Sequence, residues 1–211
     1  MKKYFKNNKK DELFIEQKII SLEKDYDFIL ENNCNIKLYF INYGATDKNF
    51  NINFNLAGNN SKLEASFVHL GGKTENQQFN FTVNHCGKNC FSRLNIRRVQ
   101  FGSSESFCRA MIKIDKNGSG TDAYLSDKSL LVGDNAKAES IPSLEILTND
   151  VKASHGATVG RLSNEDIFYL RSRGLSAKQA SQILIAGFIN AILPPNALVQ
   201  KSISAKLKSY V

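Results

Sequence analysis

The sequence predicts a mainly β fold followed by a helical segment, and three patterns carry that expectation. Runs of alternating apolar and polar residues fill the chain from Asn35 onward. Glycines recur between the runs at near-constant intervals, and beyond Pro142 the alternation gives way to helix-start signals and broad apolar faces. The runs are 36–40, 50–56, 63–68, 79–83, 93–96 and 110–114. Alternation with period two is what a strand with one buried face requires, because successive side chains leave opposite faces. Gly44, Gly58, Gly72, Gly87, Gly102, Gly118 and Gly133 follow one another at steps of 14–16 residues, about one strand plus one turn each. That beat suits a β-solenoid, a sandwich or an up-and-down barrel, and periodicity alone leaves the three open.

The remaining elements are read in order. Segment 11–30 is either a helix leading into a strand or two strands. Residues 144–147 read as a last strand and 148–150 as a turn. Ser163, three residues before Asp166, resembles a capping box and starts a helix whose buried side would be Ile167, Phe168 and Leu170, with Gly174 ending it. Ser176 caps a second helix with Ala180, Ile183, Leu184, Gly187, Phe188, Ala191 and Ile192 on one apolar face, stopped by Pro194 and Pro195. A third, basic helix over 197–211 offers Leu198, Ile203, Leu207 and Val211 for packing. The expected organisation is a tail and lead-in over 1–34, a β core over 35–160 and a helical segment over 161–211.

Composition bounds the function. A chain of 211 residues is long enough for one sizeable core. The net charge of +8 is partly concentrated in Lys2, Lys3, Lys6, Lys9 and Lys10. No helix-turn-helix, RNP or zinc-finger pattern accompanies them, so they read as a solvated tail and not as a nucleic-acid arm. No apolar run approaches the ~18 residues of a membrane span, and the charged first residues lack a secretory apolar region. The reading is a cytoplasmic protein. In that setting Cys34, Cys86, Cys90 and Cys108 are not a disulfide framework. Cys86 and Cys90, with His85 beside them, look like half a metal site, against the commoner reading of buried thiols. The 71–74 segment Gly-Gly-Lys-Thr resembles the end of a Walker A loop, but Phe67 stands where the first glycine belongs.

His155 is the candidate of most chemical interest. Between Ser154 and Gly156 it occupies a stretch too small and polar to bury an imidazole as core. Imidazole is a good iron ligand, and glycine beside it lets another backbone approach closely. A lone histidine is more often structural, and one ligand cannot hold a cluster.

The block 150–160, Asp-Val-Lys-Ala-Ser-His-Gly-Ala-Thr-Val-Gly, continues through Leu162, Ile167-Phe168-Tyr169-Leu170 and Arg171-Ser172-Arg173-Gly174-Leu175. It closely resembles the signature of the SufD branch of the SufB/SufD family of iron–sulfur cluster assembly proteins. Thr121-Asp122-Ala123-Tyr124, Ser129-Leu130-Leu131 and Pro142-x-Leu144-Glu145-Ile146 also resemble it in order and spacing. The resemblance covers 80–192 well and 35–80 in style only. It implies a right-handed parallel β-helix core, which selects the solenoid among the three β architectures. It also implies a non-catalytic scaffold subunit that pairs through the β-helix with a SufB-like chain or a second copy. A SufC-like ABC ATPase would bind the C-terminal helices and supply the ATP hydrolysis.

By the same resemblance His155 takes part in a transient iron or iron–sulfur site shared across the interface, with no cofactor stably bound. Phe168, Tyr169, Arg171, Arg173, Ile183 and Phe188 would contact the ATPase. The chain departs from the family in being about half its usual length. Asp127 and Gly156 stand where the SufB branch has a Cys and a Glu. Those departures keep open a second reading, an adaptor that binds the ATPase without assembling a cluster. A third, a basic β-rich nucleic-acid binder, has only the charge to support it.

Overall fold

The computed structural model describes residues 2–17, 25–43, 48–195 and 197–210. Twelve strands precede three helices: β1 Lys2–Phe5, β2 Lys10–Gln17, β3 Asp25–Leu30, β4 Asn35–Tyr43, β5 Lys48–Leu56, β6 Lys62–Gly71, β7 Asn76–His85, β8 Phe91–Gln100, β9 Glu105–Ile114, β10 Thr121–Leu131, β11 Lys137–Ile146, β12 Val151–Arg161, α1 Asn164–Ser172, α2 Ala177–Asn190 and α3 Ala197–Tyr210. Odd-numbered strands form one six-stranded sheet and even-numbered strands the other, and each strand pairs in parallel with the strand two places on. A chain that alternates between two sheets and always advances in one direction is a β-solenoid. Each coil is one strand from each sheet.

The 15-residue beat is therefore half a coil. Asn51 lies beside Asn80, 29 residues on, and its side-chain oxygen accepts from the Asn80 amide at 2.9 Å. The offset between coils grows from 25 residues between Asn7 and Asn32 to 32 between Glu105 and Lys137, and is 30 between Thr121 and Val151 of the last pair. Alternation within each strand follows, with inward residues buried and outward ones wet; β7 shows it without interruption. Inside, equal side chains fall above one another because the register is parallel. Phe28 stacks on Phe54 at 5.3 Å, Phe40 on Phe67 at 5.2 Å and Phe50 on Phe79 at 5.5 Å. Such rows of rings supply much of the burial that holds the coils together.

One corner of the coil is built from asparagine. Asn8, Asn33, Asn60 and Asn89 all have positive φ, between 54° and 61°, and Gly120 takes the next place at 76°. Asparagine tolerates that left-handed conformation better than other side-chain-bearing residues. The residue before each one ties the corners together. Asn32 N–H donates to Asn7 Oδ1 at 3.0 Å, Asn59 N–H to Asn32 Oδ1 at 2.7 Å and Lys88 N–H to Asn59 Oδ1 at 2.8 Å.

A second apolar cluster lies on the outer face of the even sheet. There Ile41, Val68, Leu70, Val99 and Phe101 meet Ile185 and Ile189 of α2 and Ile203 and Leu207 of α3. The last residues of β4 and β6 are consequently buried on both faces. Helix starts lie where the sequence places them. Ser163 Oγ accepts from Asp166 N–H, and Ser176 and Gln179 form a complete capping box. Arg173 is the C-cap of α1, followed by Gly174 at φ +92°.

Several expectations need correction. The sheets reach back to Lys2, so most of 1–34 belongs to the solenoid. Residues 10–17 and 25–30 are strands, and of segment 11–30 only 18–24 lie outside the described residues. Residues 144–147 are not the last strand, because β12 follows and carries His155. Phe168 is not on a buried side: it is 73% exposed, and α1 buries none of its residues. The buried side of α2 is Ala180, Ile185 and Ile189, while Ile183 points outward. The sheet surface selects that stripe, and a helix apolar on more than one side cannot announce its choice from sequence. Gly44, Val211 and the side chain of Leu198 lie outside the described residues.

Candidate functional site at the terminal coil

β12 is the last strand of the even sheet and pairs with β10 along its whole length, from Thr121 with Val151 to Leu131 with Arg161. Among the described residues no strand pairs with its other edge. His155 lies in register with Leu125, which is fully buried and itself in register with Leu94. The imidazole therefore takes an inward position at the end of a core column. It is exposed because no described coil covers it. Sequence reasoning expected His155 to be too poorly surrounded for core, and the reason is positional. The column is apolar, and its last rung is wet.

The other two histidines are unlike it. His85, at the end of β7, is fully buried with Nε2 3.0 Å from Ser92 Oγ, and burial pushes its pKa down to about 4. His69 has Nδ1 3.0 Å from Asn42 Oδ1, and burial, with Arg98 nearby, pushes it down to about 3. Both are neutral interior groups at neutral pH.

The cysteines do not converge on His85. Cys90 and Cys34 turn into the core just after the asparagine corner, where Cys90 Sγ donates to the Gly58 and Gly87 carbonyls and Cys34 Sγ to that of Lys6. Cys86 donates to Asn55 Oδ1, and burial followed by Asp115 raises its pKa to about 11. Burial above all raises that of Cys108 as well. Such thiols are protonated, and the thiolate is the form that binds metal. Among the described residues no three His, Cys, Asp or Glu side chains are grouped closely enough to hold a metal ion.

Asp127 is fully engaged. It forms a completely buried pair with Arg98, Nε to Oδ1 at 3.2 Å and Nη2 to Oδ2 at 2.8 Å, and Ser140 Oγ donates to Oδ2 at 2.6 Å. Arg98 also donates to the Ser106 carbonyl and hydroxyl and to the Glu139 carbonyl. This cluster joins β8, β9, β10 and β11, tying the terminal coil to the coils before it. Sequence reasoning missed it. The signal was partial: Arg98 follows Leu94 and Ile96 at inward spacing on β8, whereas β10 around Asp127 also buries Thr121, Ser126 and Ser129 and shows no clean alternation.

The terminal coil is flat and partly apolar. Ala153, Gly156, Ala157 and Gly160 keep β12 low, while Ile141, Ile146, Leu147 and Val159 are 40–48% exposed around it. The helical candidates lie on other surfaces. Phe168, Tyr169, Arg171, Arg173 and Ile183 are exposed, with Arg173 over the Tyr169 ring at 5.2 Å. Ile183 lines a groove between α2 and α3. Phe188 instead packs into the seam between α2 and the sheet, with Arg97 over its ring at 4.6 Å. No described helix is long and apolar enough to cross a membrane.

Comparison with known proteins agrees with this architecture. Residues 16–188 match the model of the SufBD core domain of SUF-system FeS cluster assembly. Over 138 residues, 65% of this chain, the sequence is 34% identical to the iron–sulfur cluster assembly protein SufD of Escherichia coli, covering 33% of that protein. It is 29% identical over 137 residues to an iron–sulfur cluster assembly SufBD family protein of Galdieria sulphuraria, covering 62% of it. It is 28% identical over 138 residues to one of Synechocystis, covering 29%. The match thus spans less than two thirds of each of these relatives. With the family model matching most of its length and a parallel β-solenoid as its core, the chain belongs to the SufBD family of iron–sulfur cluster assembly proteins.

Proposed function

We propose that this chain is a SufD-like, non-catalytic scaffold subunit of a cytoplasmic SUF-type assembly complex. It pairs through the terminal coil of its solenoid with a SufB-like chain or a second copy, and α1 and α2 bind a SufC-like ATPase. The observation that carries the reading is the position of His155, exposed on a strand whose outer edge has no described partner. An unpaired edge offers backbone N–H and C=O groups to another strand. The small residues of β12 and the exposed Ile141, Ile146 and Val159 favour close apposition there. Nascent iron–sulfur cluster is then cargo at the shared interface. His155 contributes one ligand and the partner the others, since one imidazole is too few. Phe168, Tyr169, Arg171, Arg173 and Ile183 present the aromatic, arginine and aliphatic character of interface anchors, and Phe188 supports them from the seam.

Anaerobic reconstitution of the chain with its partner and a SufC-like ATPase tests both halves. His155→Ala is expected to lower bound iron and sulfide at least tenfold while leaving the complex assembled. Phe168→Ala with Tyr169→Ala is expected to weaken capture of the ATPase by about tenfold or more. Unchanged cluster content in the first variant, or unchanged capture in the second, sinks the corresponding half. The adaptor reading is favoured by the engagement of Asp127 with Arg98 and by the glycine at 156. It predicts normal ATPase capture and no gain of iron or sulfide from adding this chain.

A further inference from the structure

The outer face of the even sheet carries two cations that no carboxylate answers. Arg97 of β8 and Lys128 of β10 are register neighbours. Among the described residues neither forms an ion pair, whereas Arg93 and Arg98 on the same strand reach Asp122 and Asp127 at 2.9 and 2.8 Å. The Arg97 guanidinium lies over the Phe188 ring, and burial lowers its pKa. Water is thus partly withdrawn from a charge without a counter-charge being supplied, a cost that a bound anion would offset.

Both cations line a cleft of about 540 Å³ between the sheet and the segment Ala191 to Pro194 after α2. The next register row on the same face is Ser66, Asn95 and Ser126. The two serines are 8% exposed, and no described residue hydrogen-bonds any of the three side chains. Gly156, in register with Ser126, ends the row without a side chain; a Cβ there would stand 3.4 Å from the Tyr124 hydroxyl. Glu64, the one acidic side chain lining the cleft, is paired with Lys37 at 3.7 Å. Ile192 and Leu193 supply apolar surface on the helical side, and Tyr124 an aromatic ring.

We propose that this cleft binds a phosphate ester. The phosphoryl group lies between Arg97 and Lys128 and accepts from the Ser66 and Ser126 hydroxyls and the Asn95 amide, with the organic part against Tyr124, Ile192 and Leu193. A tetrahedral oxyanion can accept from donors on three strands at once, which a planar carboxylate does less well. The volume lies in the range of small-molecule sites. Neither His155 nor any partner is involved, so the inference goes beyond the scaffold reading and does not rest on it. The competing role for the cations is to answer the carbonyl end of α2, where a helix favours positive charge, and that role needs no ligand.

Isothermal titration calorimetry of the full chain with adenosine 5′-monophosphate, inorganic pyrophosphate and uncharged adenosine decides between them. Both anions are expected to bind with a Kd on the order of 1 mM or tighter, and adenosine far more weakly. Lys128 makes no hydrogen bond or ion pair with a described residue, so Lys128→Gln is expected to keep its melting temperature while losing about tenfold in affinity. Gly156→Glu, which sets a carboxylate at the end of the row, is expected to lose as much or more. Lys116→Gln removes the same charge from an exposed turn and is expected to bind as the parent does. Absence of binding by either anion, equal binding of adenosine, or equal losses in Lys116→Gln and Lys128→Gln would overturn the proposal.

Discussion

His85 and His69 make the molecule's stability depend on pH through their burial. Each has a folded pKa below its ordinary value, about 4 and about 3. Between those values and about 6.5 the unfolded chain binds protons that the folded chain refuses, so stability falls as pH falls. The contribution is complete above about pH 6.5 and is lost progressively down to pH 4 and 3. For His85 the total is on the order of 3 kcal/mol. Urea unfolding at pH 7.5 and 5 is expected to show a loss of 1 kcal/mol or more, on that scale, that His85→Asn reduces. An unchanged slope in that variant would mean that other groups carry the pH dependence. Arg98 and Asp127 show a different lesson at this scale: Arg98 continues the inward spacing of Leu94 and Ile96, but Asp127 lies in a strand without clean alternation, and their meeting required that neighbouring strand.

At the scale of elements, the corner and the beat decide the solenoid. A Cβ on Gly87 would run into the Gly58 carbonyl oxygen one coil below, so the corner closes only around glycine. Gly87→Ala is expected to cost ~2 kcal/mol or more. Asn60→Gly, which keeps access to the positive φ of 56°, is expected to cost under ~1 kcal/mol. Chemical denaturation of the two variants measures the difference, and equal losses would show that backbone crowding is not what the glycine relieves. Most strands from 35 onward were legible because period two is a local property. Of the described glycines on the beat, however, only Gly102 has a positive φ, and Gly58, Gly87 and Gly133 are fixed by close approach to the neighbouring coil. β2 was one of two readings of its segment, and β1, β10 and β12 escaped: inward positions of β10 carry Thr121, Asp127 and Ser129, so its apolar alternation is weak. β1 and β2 sit in a lysine-rich stretch that reads as solvated, and β12 is so poor in large residues that its alternation carries little contrast. β1, β2 and β12 lie at ends of the two sheets, where an inward residue need not be large or apolar.

Across the whole molecule, the three helices serve two surfaces. α2 and α3 seal one face of the even sheet with Ile185, Ile189, Ile203 and Leu207, while α1 stays on the surface with its aromatic residues outward. Leu207→Ala is expected to cost 2–5 kcal/mol, the usual range for a buried leucine, in thermal or urea unfolding. A cost below about 1 kcal/mol would show that α3 adds little to the seal. Cap chemistry, the proline stop and the family block from Asp150 to Leu175 were determined by the sequence by itself, because each depends on neighbours within a few residues. A parallel β core with helices behind it followed from them. Only the tertiary structure decided that two beats make one coil, which stripe of α2 is buried, that Asp127 belongs to Arg98, and that His155 is a wet last rung. Those features depend on which strand lies 25–32 residues away in the next coil and on where the stack of coils ends, and local sequence carries neither.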